Sequence, residues 1–559
     1  MVDHPRPLLR RPWEAVEGTW ELAVGGDEPA FDREVQVPFS PGTPASGVDV
    51  GGAVERVWYR RRLPAGGHNR LHLTVDRHAT VWVDGRQVAA HEGGYTSFPV
   101  DVTGGSEVVV RADDDPLDLE APRGKQDWQE PSHGIWYPRT IGIWRTPWLE
   151  HVPEVAIADL RWTGSFARME LGLDARVEGP TPAGSRLRVR VRHRDRVLVD
   201  DTSLVQGPVV ARTYAVGDGG FDDRVALGWW PRRPTLLDAT VALVDADGVV
   251  LDQVESYTAL RDVVVDEGRI LLNGRPYPLR LVLDQGYWPE TGATPPSVEA
   301  LRRDIELTRA LGFNGARKHQ KTEDPRYLAL ADRLGLLVWA EMPSAYRFGA
   351  LAAGRLLREW AEVVEAHRGH PSVIAWVPIN ESWGVQGCAE DRRQRALVEA
   401  MAATAAALDG TRPVSANDGW ETVGGDIVGV HDYTQDADVL RSRYADVDAV
   451  VRSRSWNGEL IDLDRRGPDG RAVVLSEFGG VALADDVAGG AWGYTTASSP
   501  DDLLRRYREQ WRAVHDSPGL AGACWTQLTD TYQEVNGLLR ADRTPKVPLD
   551  DVAAATRGR

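Results

Sequence analysis

Cysteine and long apolar runs are scarce in this chain of 559 residues. Its two cysteines, Cys388 and Cys524, form no C-x-x-C or histidine-spaced pattern, which excludes a disulfide framework and a zinc site of the usual spacing. No run of about 18 apolar residues occurs, and residues 1–16 lack the apolar stretch of a signal peptide. We therefore expect a protein of the reducing cytoplasm that carries no disulfides and does not span a membrane.

Positive charge is also in short supply. The 65 lysines and arginines are outnumbered by 83 acidic residues, which gives a net charge of −18, and only four of the basic residues are lysines. A chain this acidic is repelled by phosphate backbones and by anionic membrane surfaces, so nucleic acid and membranes are excluded as favoured partners. The hydrophobic and charged shares, 42% and 26%, are ordinary for folded domains and argue against a disordered or fibrous protein.

Tryptophan, in contrast, is abundant, with 21 residues. Core packing accounts for many of them, but flat amphipathic rings also pack on the C–H faces of sugars. The excess favours a carbohydrate or glycoside as the binding partner. The sequence does not indicate the oligomeric state, and a homo-oligomer is one of the possibilities.

The first 262 residues show the short alternating strands that are typical of β-sandwiches. Within residues 1–150, the segments 71–75 and 79–83 alternate apolar and polar residues, and the hairpin signal Asp84-Gly85 follows. We predict an N-terminal sugar-binding-like β-sandwich of the jelly-roll type there. Residues 151–262 repeat the alternation over a length that suits an immunoglobulin-like β-sandwich.

After residue 262, short apolar runs alternate with helical periods. Between residues 297 and 311, for example, Leu301, Ile305 and Thr308 follow one helical face. Eight such runs, each followed by a helical segment, predict a C-terminal catalytic (β/α)8 TIM barrel over residues 263–559. The runs are residues 279–283, 312–316, 335–340, 373–379, 413–416, 426–430, 473–475 and 521–527.

In a (β/α)8 barrel the active site lies at the C-terminal ends of the strands, so the polar residues that close the runs are site candidates. Carboxylates, two histidines and aromatic rings converge on this face. A serine elbow, a phosphate-binding glycine loop and a dinucleotide fingerprint are not placed there, and we expect neither a cofactor nor a metal. In run order the candidates are Asp284, Arg317 with His319, Glu341, Asn380 with Glu381, Asp418, His431 with Tyr433, Glu477 and Trp525.

Two of these carboxylates, Glu381 and Glu477, form the pair that we select as catalytic. Hydrolysis of an acetal needs one carboxylic acid to protonate the leaving oxygen and one carboxylate to attack the anomeric carbon. Asn380 precedes Glu381, and a neighbouring amide suits a hydrogen bond to the 2-hydroxyl group of a sugar. The residue pattern therefore predicts a glycoside hydrolase.

Several segments of the chain resemble glycoside hydrolase family 2, the β-galactosidase and β-glucuronidase family. They occur in the family's domain order and cover essentially the whole chain. The segments are Trp136-Tyr-Pro-Arg-Thr-Ile-Gly-Ile-Trp144, Ile270-Leu-Leu-Asn-Gly-Arg-Pro-Tyr-Pro-Leu-Arg280, Gly312-Phe-Asn-Gly-Ala-Arg317, Gly335-Leu-Leu-Val-Trp-Ala-Glu-Met-Pro343, Trp376-Val-Pro-Ile-Asn-Glu-Ser-Trp383, Leu475-Ser-Glu-Phe-Gly-Gly480 and Val535-Asn-Gly-Leu-Leu-Arg-Ala-Asp-Arg-Thr-Pro-Lys546.

The resemblance implies a role for five residues. Glu381 matches the acid/base of the family and Glu477 its nucleophile, while Asn380 matches the residue that binds the 2-hydroxyl group. Trp525 would form the aromatic floor of the first sugar subsite, and Tyr433 would donate a hydrogen bond to the nucleophile. The resemblance also implies hydrolysis with net retention through a glycosyl-enzyme intermediate.

The remaining candidates are expected to bind substrate or to support the site. For Glu341, direct contact and a structural role have equal weight, and Asp284 and Asp418 are better suited to positioning or helix capping. A metal centre of His319, His431, Glu341 and Asp432 is the alternative, but the first run carries no H-x-H motif to support it. The expected substrate-binding residues beyond the five above are Arg317, His319, His431, Trp383, Asp284 and Glu341.

Two departures from the family pattern concern the sugar. The family's Arg-x-Ser-His motif is replaced by Arg317-Lys-His-Gln320, which puts the role of His319 in doubt. The Asn-x-Lys motif that binds a uronate carboxylate in glucuronidases aligns with Glu534-Val-Asn536, and a glutamate there repels a uronate. Lys318, Lys321 or an arginine remain candidates for the missing cation.

The sequence thus predicts an exo-acting retaining glycoside hydrolase for a terminal neutral sugar, with a β-galactoside-like unit favoured. The alternatives are a β-glucuronidase, an α-L-arabinosidase or a noncatalytic carbohydrate-binding homologue. Contact between the loop of residues 123–128 and the mouth of the barrel remains an open question at this point.

Overall fold

The N-terminal region is a sandwich of two antiparallel sheets. The computed structural model describes residues 4, 7–51, 54–64, 66–217, 220–455, 458–487 and 489–559. Residues along Glu107–Asp113 alternate between buried and partly exposed, as expected for a strand with one face on a core. The six-stranded sheet has the order Arg33–Val37, Gly18–Val24, Arg56–Arg62, Glu107–Asp113, His78–Val83 and Arg86–Glu92, and the four-stranded sheet has the order Phe98–Asp101, Arg70–Leu73, Trp148–Glu150 and Trp13–Ala15.

A second antiparallel sandwich follows, with its own core that includes Trp162, Leu187 and Val241. Its short helix spans Phe221–Leu227. One sheet has the order Leu8–Leu9, Val250–Thr258, Leu237–Val244, Arg186–His193 and Arg196–Leu204, and the other has the order Ala156–Ser165, Glu170–Glu178 and Val209–Ala215. The strand Leu8–Leu9 comes from the segment that we assigned to the first sandwich, yet Leu8 pairs with Ser256 of the second.

The C-terminal region is a parallel barrel with seven assigned strands among the described residues. The run at residues 413–416 forms no extended strand; instead single bridges join Val414 to Trp376 and Asp418 to Asn380. The amides of Asp426 and Ile427 donate to Val414 O. This segment therefore fills the gap between the two edge strands of the seven-stranded sheet and closes the barrel. The strands are β1 (Leu279–Asp284), β2 (Gly315–Lys318), β3 (Leu337–Glu341), β4 (Val373–Val377), β5 (Ile427–His431), β6 (Ala472–Gly479) and β7 (Leu520–Thr526), in the order β4-β3-β2-β1-β7-β6-β5.

Helices connect the barrel strands and begin at the caps that the sequence supplies. The first begins after Ser297, whose side chain accepts from the amide of Ala300, and another begins after Asp324 with Pro325 as its first residue. The helices are α1 (Val298–Ala310), α2 (Pro325–Leu334), α3 (Ala350–His367), α4 (Arg392–Leu408), α5 (Ala437–Tyr444), α6 (Val447–Val451), α7 (Pro500–His515) and α8 (Leu549–Thr556).

Short elements complete the molecule. A three-stranded sheet precedes the barrel, and its residues Ile270 and Leu272 pack with Leu281 and Cys524 in one apolar cluster. The cluster closes the N-terminal end of the barrel, opposite the candidate site. The remaining strands are Val75–Asp76, Gly142–Ile143, Trp229–Trp230, Arg233–Pro234, Val263–Asp266, Arg269–Leu272, Arg275–Pro276, Val481–Leu483 and Thr495–Ala497, with 3-10 turns at Pro44–Ser46 and Ala484–Asp486.

The first sandwich is attached to the barrel near the C-terminal ends of its strands. The amides of Arg123 and Gly124 both donate to Ser344 O, at 3.0 and 3.1 Å, so the loop of residues 123–128 does lie against the mouth of the barrel. On α3, Glu359 accepts from the amide of Gly94 at 2.6 Å. No helix within the described residues combines the length and the hydropathy that crossing a membrane requires.

Candidate active site

The two selected glutamates lie side by side at the C-terminal face of the barrel. Glu477 is part of β6, and Glu381 follows β4. One ligand atom from each of Glu381, His431 and Glu477 lies within 4.8 Å of the other two. Residues that are 96 positions apart in sequence thus meet because the parallel strands of a barrel end on the same face.

The backbone at Glu381 adopts an unusual conformation. Glu381 and Ser382 have φ angles of +49° and +54°, in the left-handed region that side chains other than glycine rarely adopt. Two hydrogen bonds hold the turn: the amide of Glu381 donates to Asp418 O, and the amide of Ser382 donates to Asn417 Oδ1, both at 2.9 Å. Strain of this kind concentrates at functional sites, where the surroundings hold the residue in place.

The carboxylate of Glu477 accepts a hydrogen bond on each oxygen. Tyr433 Oη donates to Oε2 at 2.6 Å, and Arg317 Nη1 donates to Oε1 at 3.1 Å. Burial raises the pKa of Tyr433 well above its ordinary value, and the charge of Glu477 adds to this, so the phenol stays a donor. Both contacts hold the carboxylate in one orientation at the face of the barrel.

His431 lies between the carboxylates. Its Nδ1 is 2.7 Å from Glu381 Oε1, and its Nε2 is 3.1 Å from Asp418 Oδ2 and 3.4 Å from Glu477 Oε1. Burial lowers the pKa of His431, but the charge of Glu477 and the hydrogen bonds to Asp418 and Glu381 outweigh it and raise the pKa to about 10. Burial likewise raises the pKa of Glu381, but the hydrogen bond and charge of His431 prevail and lower it.

Arg317 at the end of β2 is the fully buried centre of the charge network. Its Nε donates to Glu341 Oε2 at 2.8 Å, and Nη1 lies 2.8 Å from Asp418 Oδ2. Burial lowers the pKa of Arg317, but the charges of Asp418 and Glu341 raise it well above its ordinary value. A buried charge that loses its partner costs about 3–5 kcal/mol, so this network holds the ends of β2, β3 and β6 in one arrangement.

Asn380 presents a free donor to the site. Its Oδ1 accepts from Arg317 Nη2 at 2.6 Å, which orients the amide, while its buried Nδ2 meets no acceptor among the described residues. An unsatisfied buried N–H group costs free energy unless a ligand supplies the acceptor. The geometry therefore suits the predicted contact with a sugar hydroxyl group.

The aromatic residues differ from expectation in one case. The ring of Trp525 is completely buried, because it packs at 4.6 Å from Tyr507 of α7 and at 5.1 Å from Phe478, with Gly479 covering it. This structure therefore offers no face of Trp525 to a sugar, and the predicted subsite floor is not found there. Trp383, in contrast, lines a cavity of about 950 Å³ together with Glu381 and His431.

Three predicted substrate-binding residues occupy supporting positions. Glu341 Oε1 accepts from the amide of Gln320 at 2.9 Å and lies 3.1 Å from His319 Nδ1. Asp284 Oδ2 accepts from Lys318 at 2.6 Å. With its contacts to Arg317 and His319, Glu341 holds the end of β2 in place.

The lysines considered as uronate ligands are buried in ion pairs of their own. Lys318 Nζ lies 2.6 Å from Glu323 Oε2 as well as from Asp284, and Lys321 Nζ lies 3.2 Å from Glu323 Oε1. Burial lowers the pKa of Lys321 to about 8. Neither lysine presents a free cation to the site.

The alternative metal centre is not assembled. Among the described residues, His319 pairs with Glu341, whereas the carboxylate of Asp432 accepts from Tyr444 and Arg443. The ligand atoms of Glu381, His431 and Glu477 are close enough for a metal ion. The neighbouring carboxylates raise the pKa of His431 to about 10, which favours a proton on this ring.

The sequence analysis assigned no individual role to three residues at the site: Tyr494 and Trp136, which line the cavity, and Lys125, which lies beside it. Tyr494 stacks on Tyr433 with 3.5 Å between ring centroids, and Trp136 reaches the cavity from the first sandwich. Lys125, also from the first sandwich, lies 3.7 Å from Glu534 Oε1 and 5.6 Å from the ring of Trp383. Lys125 belongs to the loop of residues 123–128, whose contact with the barrel mouth the sequence left open, whereas no local sequence pattern indicates the positions of Trp136 and Tyr494.

Fold and site together define a three-domain protein with a paired-carboxylate site in a TIM barrel. The family model for the TIM barrel domain of the glycosyl hydrolases family 2 matches residues 263–555. The chain therefore belongs to glycosyl hydrolase family 2.

Sequence relatives agree with this assignment. The chain is 26% identical over 347 residues to a β-galactosidase of Thermoanaerobacter pseudethanolicus and 27% identical over 348 residues to a putative β-glucuronidase of Formosa agariphila, each alignment covering 58% of this chain. These alignments cover only 44% and 40% of the relatives, so the chain spans less than half the length of these curated relatives.

Two solved structures share the whole architecture. A β-galacturonidase of Eisenbergiella tayi bound to glycerol superposes with a TM-score of 0.78 at 19% identity and covers 100% of this chain and 98% of its own. A β-glucuronidase of Parabacteroides merdae superposes with a TM-score of 0.75 at 18% identity, covering 97% of this chain and 75% of its own. At sequence identities of 18–19%, the similarity shows that these proteins share a fold.

Proposed function

We propose that this chain is an exo-acting glycoside hydrolase that cleaves the bond to a terminal sugar with net retention. The observation that carries the proposal is the Glu381–Glu477 pair, with one oxygen of each carboxylate within 4.8 Å of the other. Retaining glycosidases hold their carboxyl groups about 5–5.5 Å apart, whereas inverting enzymes need about 6.5–9.5 Å to admit a water molecule. The noncatalytic alternative is disfavoured because both carboxylates are present and both are held by hydrogen bonds.

In the first step of the proposed reaction, Glu477 attacks the anomeric carbon while the bond from that carbon to the leaving oxygen breaks. Glu381 transfers its proton to that oxygen, so the leaving group departs as a neutral alcohol. Tyr433 and Arg317 orient Glu477 for the attack, and the free Nδ2 of Asn380 binds the 2-hydroxyl group.

In the second step, a water molecule attacks the anomeric carbon of the glycosyl-enzyme. The Glu381 carboxylate takes a proton from this water molecule, and the bond between the carbon and Glu477 breaks. The sugar leaves with the configuration it had in the substrate, and both glutamates return to their starting protonation states.

For the sugar we propose a neutral β-galactoside-like unit. Glu534 lies beside the site, where its Oε2 accepts from Tyr137 Oη at 2.5 Å and lies 3.4 Å from Gln285 Nε2. Its negative charge repels a uronate carboxylate. The competing candidate is a β-uronidase, which is favoured by Lys125 beside Glu534 and by the names of several structural neighbours.

The test is a panel of chromogenic β-galactosides, β-glucuronides, β-galacturonides, β-glucosides, β-mannosides, β-fucosides and arabinosides. We expect turnover of one sugar class and a loss of at least about 10³-fold in Glu477→Gln, because the nucleophile is removed. Glu381→Ala is expected to keep slow turnover of substrates with good leaving groups and to form a glycosyl azide of retained configuration when azide is added. An inverted product, or full activity of both variants, contradicts the proposal.

A further inference from the structure

The cavity beside Glu381 has room for more than one sugar ring. Its volume is about 950 Å³, at the upper end of the range of roughly 300–1,000 Å³ that is typical of pockets for drug-sized ligands. Glu381 and His431 form part of its wall. In the proposed reaction Glu381 protonates the leaving oxygen, so the group attached to that oxygen extends into this cavity.

Aromatic rings dominate the walls of the cavity. They come from separate parts of the chain: the first sandwich, the loops after the barrel strands, the end of α5 and the segment before α7. The rings that line it are those of Trp136, Trp383, Trp420, Tyr433, Tyr444 and Tyr494. Flat aromatic walls favour stacking against a planar apolar group.

Several polar side chains of the cavity are paired within the protein. Asp432 accepts from Arg443 and, at 3.1 Å, from Tyr444 Oη, and Arg443 Nη1 also donates to Thr434 Oγ1 at 3.1 Å. Arg454 Nη1 donates to the backbone oxygen of Gly458 at 2.6 Å. A second sugar carries hydroxyl groups that need partners of their own, and burying them without partners costs free energy.

The wall contributed by the first sandwich is anchored before any substrate arrives. Gln533 Nε2 donates to Trp136 O at 2.6 Å and to Gly134 O at 2.9 Å, and Trp492 Nε1 donates to Gly134 O at 3.0 Å. The ring of Trp136 lies 5.8 Å from that of Trp383. A wall held in this way binds a flat ligand without a further entropy cost for its own ordering.

We propose that the leaving group of the natural substrate is a flat apolar aglycone, such as a phenolic or fused-ring compound, and not a second sugar. This inference rests on the proposed function, because it assigns the cavity to the group that Glu381 protonates. It makes the chain a hydrolase of aryl-type glycosides.

The experiment compares phenyl and 2-naphthyl glycosides of the sugar that the panel identifies. Their phenols have similar acidity, so the larger ring adds stacking area without changing the leaving group much. We expect a higher kcat/KM for the naphthyl glycoside and about a tenfold loss of that advantage in Trp136→Ala. Trp136→Phe keeps an aromatic ring at this position and should retain most of the preference for the naphthyl glycoside. Trp82→Ala removes a tryptophan of the first sandwich that lies away from the cavity, and this variant should behave like the parent.

A disaccharide of the same terminal sugar completes the comparison. Two results overturn the inference and leave the proposed function intact. One is a kcat/KM for the disaccharide above that for the naphthyl glycoside, and the other is an equal loss of kcat/KM on the phenyl and naphthyl glycosides in Trp136→Ala.

Binding of free 2-naphthol, followed by tryptophan fluorescence, separates the two proposals. If no glycoside is cleaved but naphthol binds and binding is lost in Trp136→Ala, the apolar cavity is supported and the proposed function fails. If naphthol does not bind and nothing is cleaved, both fail.

Discussion

At the scale of single residues, the contact between His431 and Glu381 determines where a proton is held. Nδ1 of His431 is 2.7 Å from Glu381 Oε1, the pKa of His431 is raised to about 10 and that of Glu381 is lowered. The two groups therefore titrate as a pair that keeps one proton up to about pH 10. These shifts favour the proton on His431 in the free protein, and in the proposed reaction it must move to Glu381 before Glu381 can protonate the leaving oxygen.

The expected consequence is a shift in the pH profile of the variant His431→Asn. For the parent, we expect kcat/KM to fall on the alkaline side only when the pair loses its proton, since the pKa of His431 is raised to about 10. Without His431, Glu381 must hold the proton alone, so the alkaline limb moves to lower pH. Measured kcat/KM across the acid and alkaline limbs checks this, with His515→Asn as a control for a histidine far from the site. An unchanged alkaline limb would show that the pair does not supply the proton.

At the scale of elements, the end of α2 shows how a single glycine joins two domains. Gly335 has a φ of +75° and caps the helix, and a Cβ atom built on it would lie 2.1 Å from Pro231 O of the second sandwich. Both the left-handed backbone and the close approach require glycine at this position.

We expect Gly335→Ala to lower the free energy of unfolding by about 2 kcal/mol or more, since the left-handed conformation alone costs roughly 1–2 kcal/mol. Gly354→Ala is the matched control, because this glycine lies within α3 and a Cβ atom added to it would meet no atom within 4 Å beyond its own stretch of helix. That substitution should stabilise the protein by about 0.5–1 kcal/mol. Thermal unfolding midpoints measured at one scan rate test both predictions, a lower midpoint for Gly335→Ala and a higher midpoint for Gly354→Ala than for the parent. Equal midpoints for the two variants would contradict the argument.

At the scale of the whole molecule, the first sandwich contributes to the site in the barrel. Lys125 and Tyr137 both contact Glu534, the residue that occupies the place of the glucuronidase motif. The charge that a substrate meets beside the site is therefore set jointly by two domains. Under the proposed function, we expect the sugar specificity to depend on the packing of these domains as well as on the barrel.

The variant Glu534→Gln tests this at the level of substrate charge. Removal of the negative charge beside Lys125 should raise kcat/KM for a β-uronide relative to the matching neutral β-glycoside by about tenfold, because charges at such separations interact by a few kcal/mol at most. Lys125→Met should change the ratio in the opposite direction. Kinetics of the paired substrates measure the ratio, and a ratio that moves the same way in both variants would contradict the electrostatic explanation.

The fold class and the choice of the two glutamates could be predicted from the amino-acid sequence alone. Alternation with a period of two predicted the sandwiches, and eight apolar runs predicted the barrel, because burial on one or both faces leaves a local pattern. Glu381 and Glu477 could be selected since residues at the ends of parallel strands must share a face. In the structure, Tyr433 and Arg317 both donate hydrogen bonds to Glu477, and the roles assigned to these residues stay predictions.

Features that depend on contacts between distant segments could not be predicted in this way and are seen only in the folded molecule. The run at 413–416 forms single bridges where a strand was expected, Leu8–Leu9 pairs with the second sandwich, and Trp525 packs inward against Tyr507. The tertiary structure also brings Lys125 and Trp136 to the site. Such features have no period along the chain, because they arise from packing between domains and from loops whose course depends on that packing.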